Sequence, residues 1–304
     1  MINSKIAALL IILLSVFLSA CSDVPVFDGE RAYADLVRQC SFGPRVAGTE
    51  AHRETGRFLF EELRKTTDIC RVQRFTVFDS IAGAEKEMLN IIASYYPDSD
   101  RRIMLCAHWD SRPYSNMDPD SGKHELPVPG ANDGASGTAL LLEIGRLLKD
   151  HRPPVGIDIV LFDGEDYGTD EWPGGWFLGS KHFVRNLRGY RPRAAILVDM
   201  IGDSDLRIYR EAVSELYSKD LNDYIWEIAS EVGAGAFEDA VKDTVSDDHI
   251  PLIEAGIKAI DIIDFNYPYW HTQEDTPDKC SPESLGDVGR VVIGAVFDER
   301  ILDF

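Results

Sequence analysis

The sequence predicts an α/β fold in three layers, with a mixed but mostly parallel central β-sheet flanked by helices. Six short runs rich in β-branched and apolar residues alternate with amphipathic stretches of helical period. Several of these runs are apolar almost without interruption, as strands covered on both faces must be. The 304 residues, 44% of them hydrophobic and free of internal repeats, suffice for one domain with a large core.

The chain opens with "MINSKIAALLIILLSVFLSAC", residues 1–21, in which Lys5 precedes an apolar run over 6–17 and small residues lead to a cysteine. The run is short for a membrane span and is expected to be an export signal. "LSAC" resembles the bacterial lipobox, which makes Cys21 the lipidated first residue of the mature protein. Ser22 in place of Asp favours the outer membrane, so the expected location is the bacterial cell envelope, lipid-anchored and facing the periplasm. A plain secretory signal is the alternative. Residues 22–31 are expected to be a tether, with 32–304 as a single folded domain.

Within that domain, 49–65 carries Phe58, Leu59 and Leu63 on one helical face. Strands follow at 70–78, 88–95 and 102–108, the first two as an antiparallel pair. A helix over 138–149, a strand over 157–162, a helix over 176–186, a strand over 194–200, a helix over 214–232 and a strand over 258–263 continue the alternation. Ser281 as N-cap, Pro282 in the first helical position and the stripe Leu285, Val288, Val292 and Val296 open a last helix. The interval 111–130, "SRPYSNMDPDSGKHELPVPG", is polar and proline-rich. It is too long for an idle connection in a compact domain and is expected to serve function.

Net charge is −21, and removal of the signal takes away Lys5 alone among the charged residues. Nucleic acids and anionic membrane surfaces are held by clustered Lys and Arg, so neither is an expected partner; membrane association is expected only through the lipid. Beyond Cys21 the cysteines are Cys40, Cys70, Cys106 and Cys280, with no C-x-x-C spacing of a thiolate metal site. Export permits disulfides, and four cysteines allow three full pairings.

Acids and histidines gather at the ends of the expected strands. "LCAHWDS" supplies His108 and Asp110, "GANDGASG" supplies Asp133 before a helix, "LFDGED" supplies Asp163, Glu165 and Asp166, and "LVDMIGD" supplies Asp199. "VSDDHIP" adds Asp247, Asp248 and His249, and "YPYWHT" adds His271 after Trp270. Ligands in open α/β sheets collect beyond the carboxyl ends of strands, so these residues have reason to converge. Asp133, Asp166 and His271 form an oxygen and nitrogen set suited to a catalytic zinc with one open position. Glu165 beside Asp166 can divide labour with it, one acid on the metal and the other free to move protons.

These residues resemble the zinc aminopeptidase superfamily and, within it, animal-type glutaminyl cyclase (glutaminyl-peptide cyclotransferase), from "FGPRVAGTEAHRETGRFL" at Phe42 to the C-terminus. The resemblance implies a single catalytic domain over 32–304, with zinc on Asp133, Asp166 and His271. It makes Glu165 the catalytic acid and base, and Asp199 and Asp247 its hydrogen-bonded partners. One zinc per chain is implied for a cyclase. For a two-zinc peptidase, His108 and Asp199 would hold a second ion with Asp133 bridging and Asp110 orienting His108. Two departures stand out: Asp166 is one methylene shorter than the family's usual Glu, and Ser246 replaces an amide of the animal cyclases. The resemblance puts Trp172, Trp270, Tyr267 and Ser246 in the substrate pocket. The implied substrates are peptides or proteins with N-terminal glutamine, converted to pyroglutamate with loss of ammonia. The alternatives are an aminopeptidase and a lipid-anchored binding protein without catalysis.

Overall fold

A computed structural model describes residues 24–67 and 69–304. The export signal and Cys21 lie outside the described residues. The central sheet has six strands in the order β1-β2-β4-β3-β5-β8: β1 (Ile69–Asp79), β2 (Ala84–Tyr95), β3 (Arg102–His108), β4 (Gly156–Phe162), β5 (Ala194–Asp199) and β8 (Ala259–Ile263). β1 with β2 and β2 with β4 are antiparallel, while β4, β3, β5 and β8 run parallel. The expected mixed, mostly parallel sheet is therefore what forms.

Alternation along each strand divides the core in two. Ile103, Leu105 and Ala107 of β3, Ile157, Ile159 and Leu161 of β4, and Ile196 and Val198 of β5 face one helical layer. That layer contains α1 (Gly29–Cys40), α2 (Glu50–Arg64), α3 (Ala135–Asp150), α6 (Lys219–Glu231) and α8 (Pro282–Phe297). Met104, Cys106, Val160, Phe162 and Leu197 point the other way, toward α4 (Leu178–Arg185) and α7 (His249–Glu254). Burial on both sides is why these strands read as continuous apolar runs.

Two expectations need correction. Residues 22–31 are not simply a tether: α1 starts at Gly29, capped by Asp28, whose carboxylate accepts from the Arg31 N–H at 2.9 Å. Ahead of it, Phe27 is already buried against Gly289, where any side chain would collide with the Phe27 ring. The helix expected over 214–232 is two, α5 (Ala212–Tyr217) and α6, broken at Ser218, whose hydroxyl accepts from the Ala259 N–H at 3.1 Å. Between β5 and α6 the chain also adds β6 (Ile208–Arg210), which pairs in parallel with β7 (Phe237–Val241). Cys40, Cys70, Cys106 and Cys280 are free thiols, so none of the permitted pairings is formed.

Candidate active site

Every parallel strand delivers a polar side chain to the same end of the sheet. His108 ends β3, Asp199 ends β5, and Glu165 and Asp166 lie in the turn after β4. Asp133 precedes α3 and His271 stands in the loop after β8. The turn after β4 is held by Asp110, which accepts from the Glu165 N–H at 3.1 Å and the Asp166 N–H at 3.3 Å. Gly134, at φ +93°, lets Asp133 approach: a β-carbon there would lie 2.6 Å from the Asp110 carbonyl and 2.9 Å from the His108 ring. Buried Arg45 clamps the neighbouring backbone, donating to the carbonyls of Trp109, Gly130 and Asp133 at 2.8, 2.6 and 3.2 Å.

Asp133 divides its carboxylate between two groups. On one side His271 Nε2 lies 3.3 Å from Asp166 Oδ2 and 3.7 Å from Asp133 Oδ2. On the other, His108 Nε2 lies 3.2 Å from Asp133 Oδ1 and 3.1 Å from Asp199 Oδ1. Atoms each about 2.0–2.2 Å from one tetrahedral ion are separated by about 3.3–3.6 Å, so both groups have the spacing of a zinc site. They differ in what is left over. Asp133 Oδ2 and Asp166 Oδ2 are buried without any hydrogen-bond partner, whereas Asp199 Oδ1 is already bonded to His108. Orphaned buried carboxylate oxygens are costly unless a cation meets them, so the Asp133, Asp166 and His271 set fits a resident zinc.

Arg112, in the long 111–130 loop, explains how the shorter Asp166 serves here. Its Nη1 donates to Asp166 Oδ1 at 2.8 Å and to the Gly168 carbonyl at 3.1 Å, and its Nε donates to Asn116 Oδ1 at 2.6 Å. One Asp166 oxygen is thereby fixed and the other aims at the set. The guanidinium also lies 5.0 Å from the Trp176 ring centre, tying the site to its wall.

Glu165, Asp199, Asp247, Ser246, Trp270 and His271 line a cavity of about 410 Å³ together with Trp176 and Phe265. Trp270 stacks on His271 with ring centres 3.8 Å apart. Burial, and then the charges of Asp247 and Asp166, push the Glu165 carboxyl well above the usual carboxylate range. Burial and the Asp199 charge raise Asp247 to about 7. His271, Met200 and Phe177 all adopt left-handed backbone at φ of 55°, 47° and 57°. Such conformations persist only where the surroundings enforce them, and all three residues line this cavity.

Two expected pocket residues are elsewhere. Asp166 pairs with Trp176 in an antiparallel bridge, and the Phe177 N–H donates to the Glu165 carbonyl at 2.9 Å. The intervening turn carries Trp172 to its tip, where it packs beside Tyr167 and Gly175 away from the cavity. Trp176 takes its place. Tyr267 is buried beneath the site, its hydroxyl donating to Asp275 Oδ1 at 2.8 Å; Asp275 in turn accepts from the Asn132 and Asp133 N–H groups at 2.8 and 3.2 Å. Phe265, two residues earlier, is the ring that faces the cavity. Arg112, Arg45, Trp176 and Phe265 were thus missed from sequence; for Arg112 the only signal is a lone cation two residues after Asp110.

Known proteins resemble this chain in sequence and fold. Aminopeptidase YwaD of Bacillus subtilis is 31% identical over 210 residues, a match covering 64% of this chain and 40% of that protein. The chain therefore spans less than half the length of that relative. The structure of a leucine aminopeptidase precursor from Bacteroides thetaiotaomicron shares 38% identity at a TM-score of 0.88, over 91% of this chain and 99% of that one. A glutaminyl cyclase of Bacteroides thetaiotaomicron, solved bound to N-acetylhistamine, shares 38% identity at a TM-score of 0.87, over 91% and 100%. The profile of Peptidase family M28 matches residues 90–296, from β2 into α8 and across every ligand named above. With that match and the zinc-fitting residues in place, the chain belongs to peptidase family M28.

Proposed function

We propose that this chain is a zinc-dependent glutaminyl-peptide cyclotransferase, which closes the N-terminal glutamine of a peptide or protein into pyroglutamate and releases ammonia. The observation that carries this is the asymmetry of the two ligand groups. The Asp133 and Asp166 oxygens facing His271 have no hydrogen-bond partner, while Asp199 Oδ1 already meets His108 Nε2 at 3.1 Å, which supports a single ion on the His271 side. One zinc per chain, on Asp133, Asp166 and His271, is the stoichiometry expected. The 38% identity to a solved glutaminyl cyclase over its whole length supports the same activity.

Asp133, Asp166 and His271 would hold a zinc, which would supply Lewis acidity toward the side-chain amide carbonyl of the substrate. Glu165 accepts a proton from the α-amine as its nitrogen bonds to Cδ, the carbonyl carbon of the side-chain amide. The bond from that carbon to the amide nitrogen then breaks, and Glu165 returns the proton so that ammonia departs neutral. Burial and the Asp247 and Asp166 charges keep Glu165 basic enough for the first transfer, while Asp199 acts on Asp247 behind it. Trp176, Phe265 and Trp270 form apolar walls that hold the short side chain bent toward its own amine and exclude water from the attacking position.

The second reading, a two-zinc aminopeptidase, rests on His108, Asp133 and Asp199, which have the spacing to hold a second ion. Incubating zinc-loaded protein with a Gln-initiated peptide and with an amino-acid amide separates the two. The peptide is expected to lose the mass of ammonia without shortening; release of its first residue instead assigns the peptidase. From the first 21 residues we also infer a lipoprotein anchored through Cys21 in the outer membrane of a bacterial envelope. Cys21→Ser is then expected to release the protein from membranes.

A further inference from the structure

The catalytic cavity opens outward into a second one of about 540 Å³, and Trp176, Trp270 and His271 belong to both. Two walls of that cavity are chemically distinct. Ile81, from the turn between β1 and β2, and Tyr114 offer apolar surface, and Glu125, Asp170 and Glu171 offer exposed carboxylates. Among the described residues none of these three acids forms an ion pair. Positive charge does not balance them: Arg112 is buried and committed to Asp166, and His124 Nε2 is hydrogen-bonded to the Asp118 carbonyl at 2.8 Å.

We propose that the outer cavity is the subsite for the second and third residues of the substrate, and that it selects basic over acidic side chains there; this rests on the peptide-cyclising reading above. A lysine or arginine stem can lie along Ile81 and Tyr114 while its charged head reaches the carboxylates in water. An acidic side chain at the same position meets three like charges. Attraction in one case and repulsion in the other, each at the strength of an exposed pair, separate the two peptides by about tenfold.

The test compares kcat/KM for Gln-Lys-Ala, Gln-Ala-Ala and Gln-Glu-Ala on the zinc-loaded enzyme at low and high salt. The expected order is Lys, then Ala, then Glu, with the Lys to Glu ratio near ten at low salt and shrinking as salt rises. In the triple variant Glu125→Gln/Asp170→Asn/Glu171→Gln that ratio is expected to fall to about two. Equal rates in the wild type, or an unchanged ratio in the variant, overturn the proposal. If none of the peptides is cyclised, the cyclase reading fails, and calorimetric binding of the same three peptides to the zinc-loaded Glu165→Gln variant decides the subsite separately. Tighter binding of the Lys peptide sustains it, and equal affinities overturn it.

Discussion

Replacing Arg112 tests how the metal centre is built. The side chain is 5% exposed and its partner Asp166 is 2% exposed, with 2.8 Å between Nη1 and Oδ1. Arg112→Met keeps much of the stem but strips the buried Asp166 of its one permanent cation, leaving only His271 Nε2 at 3.3 Å to face its charge beside Asp133 and Glu165. Removing one partner of a buried pair costs about 3–5 kcal/mol. Asp166→Asn strands the guanidinium instead, at a comparable cost, whereas the double variant removes both charges. Its loss should therefore fall short of the sum of the single losses by about 2–3 kcal/mol. Urea unfolding of the zinc-free wild type and the three variants at neutral pH supplies the four free energies. Additivity within about 0.5 kcal/mol, or a loss under about 1 kcal/mol for Arg112→Met, would refute the reasoning. A chelator competition on the same proteins adds a second readout. Zinc affinity in Arg112→Met is expected to fall about 10- to 100-fold, because Asp166 is no longer held with one oxygen aimed inward.

Glu165→Gln is expected to retain zinc by metal analysis and to lose about 10²- to 10⁴-fold in turnover; full activity would remove Glu165 from proton transfer. Trp176→Ala and Phe265→Ala are expected to lower kcat/KM about tenfold or more, while Tyr267→Phe costs about 1 kcal/mol of stability through Asp275. Trp172→Ala should leave KM unchanged, and a raised KM would return Trp172 to the pocket. Glu211 supplies a pH prediction. Burial opposes its charged form, but the His249 side chain and the Val213, Ser214 and Val245 N–H groups outweigh it and lower the carboxyl to about 2. A depressed folded-state value adds stability above the unfolded value of 4.5 and loses it as pH falls toward about 2. The contribution is about 2–3 kcal/mol. The stability gap between zinc-free wild type and Glu211→Gln should thus narrow from pH 5 to pH 2, and a constant gap would contradict it.

The metal-fitting residues were legible because parallel strands impose convergence. Once β3, β4 and β5 are recognised as buried runs, His108, Asp166 and Asp199 must emerge at one end of the sheet. His271 needed more than topology, since it sits in an irregular loop in left-handed backbone, and it was found through its motif. Helix α1 escaped notice because its inward side is only Ala32, Leu36 and Gln39, too few apolar residues to declare a period; it is held by what it packs against.

What the sequence by itself determined is the layered α/β architecture, the zinc-fitting set Asp133, Asp166 and His271, and the acid Glu165 beside it, since these follow from strand periodicity, residue chemistry and, for His271, its local motif. Which rings face the cavity was decided only in three dimensions. Trp172 and Trp176 lie in one turn, as Phe265 and Tyr267 lie in one loop, and local pattern treats each pair alike. The bridge between Asp166 and Trp176 turns one tryptophan inward. The hydrogen bond from Tyr267 to Asp275 draws the tyrosine beneath the site and leaves Phe265 at its surface. Those contacts join segments whose relative placement no local stretch of sequence encodes, and the same is true of Arg112, whose partner lies 54 residues along the chain.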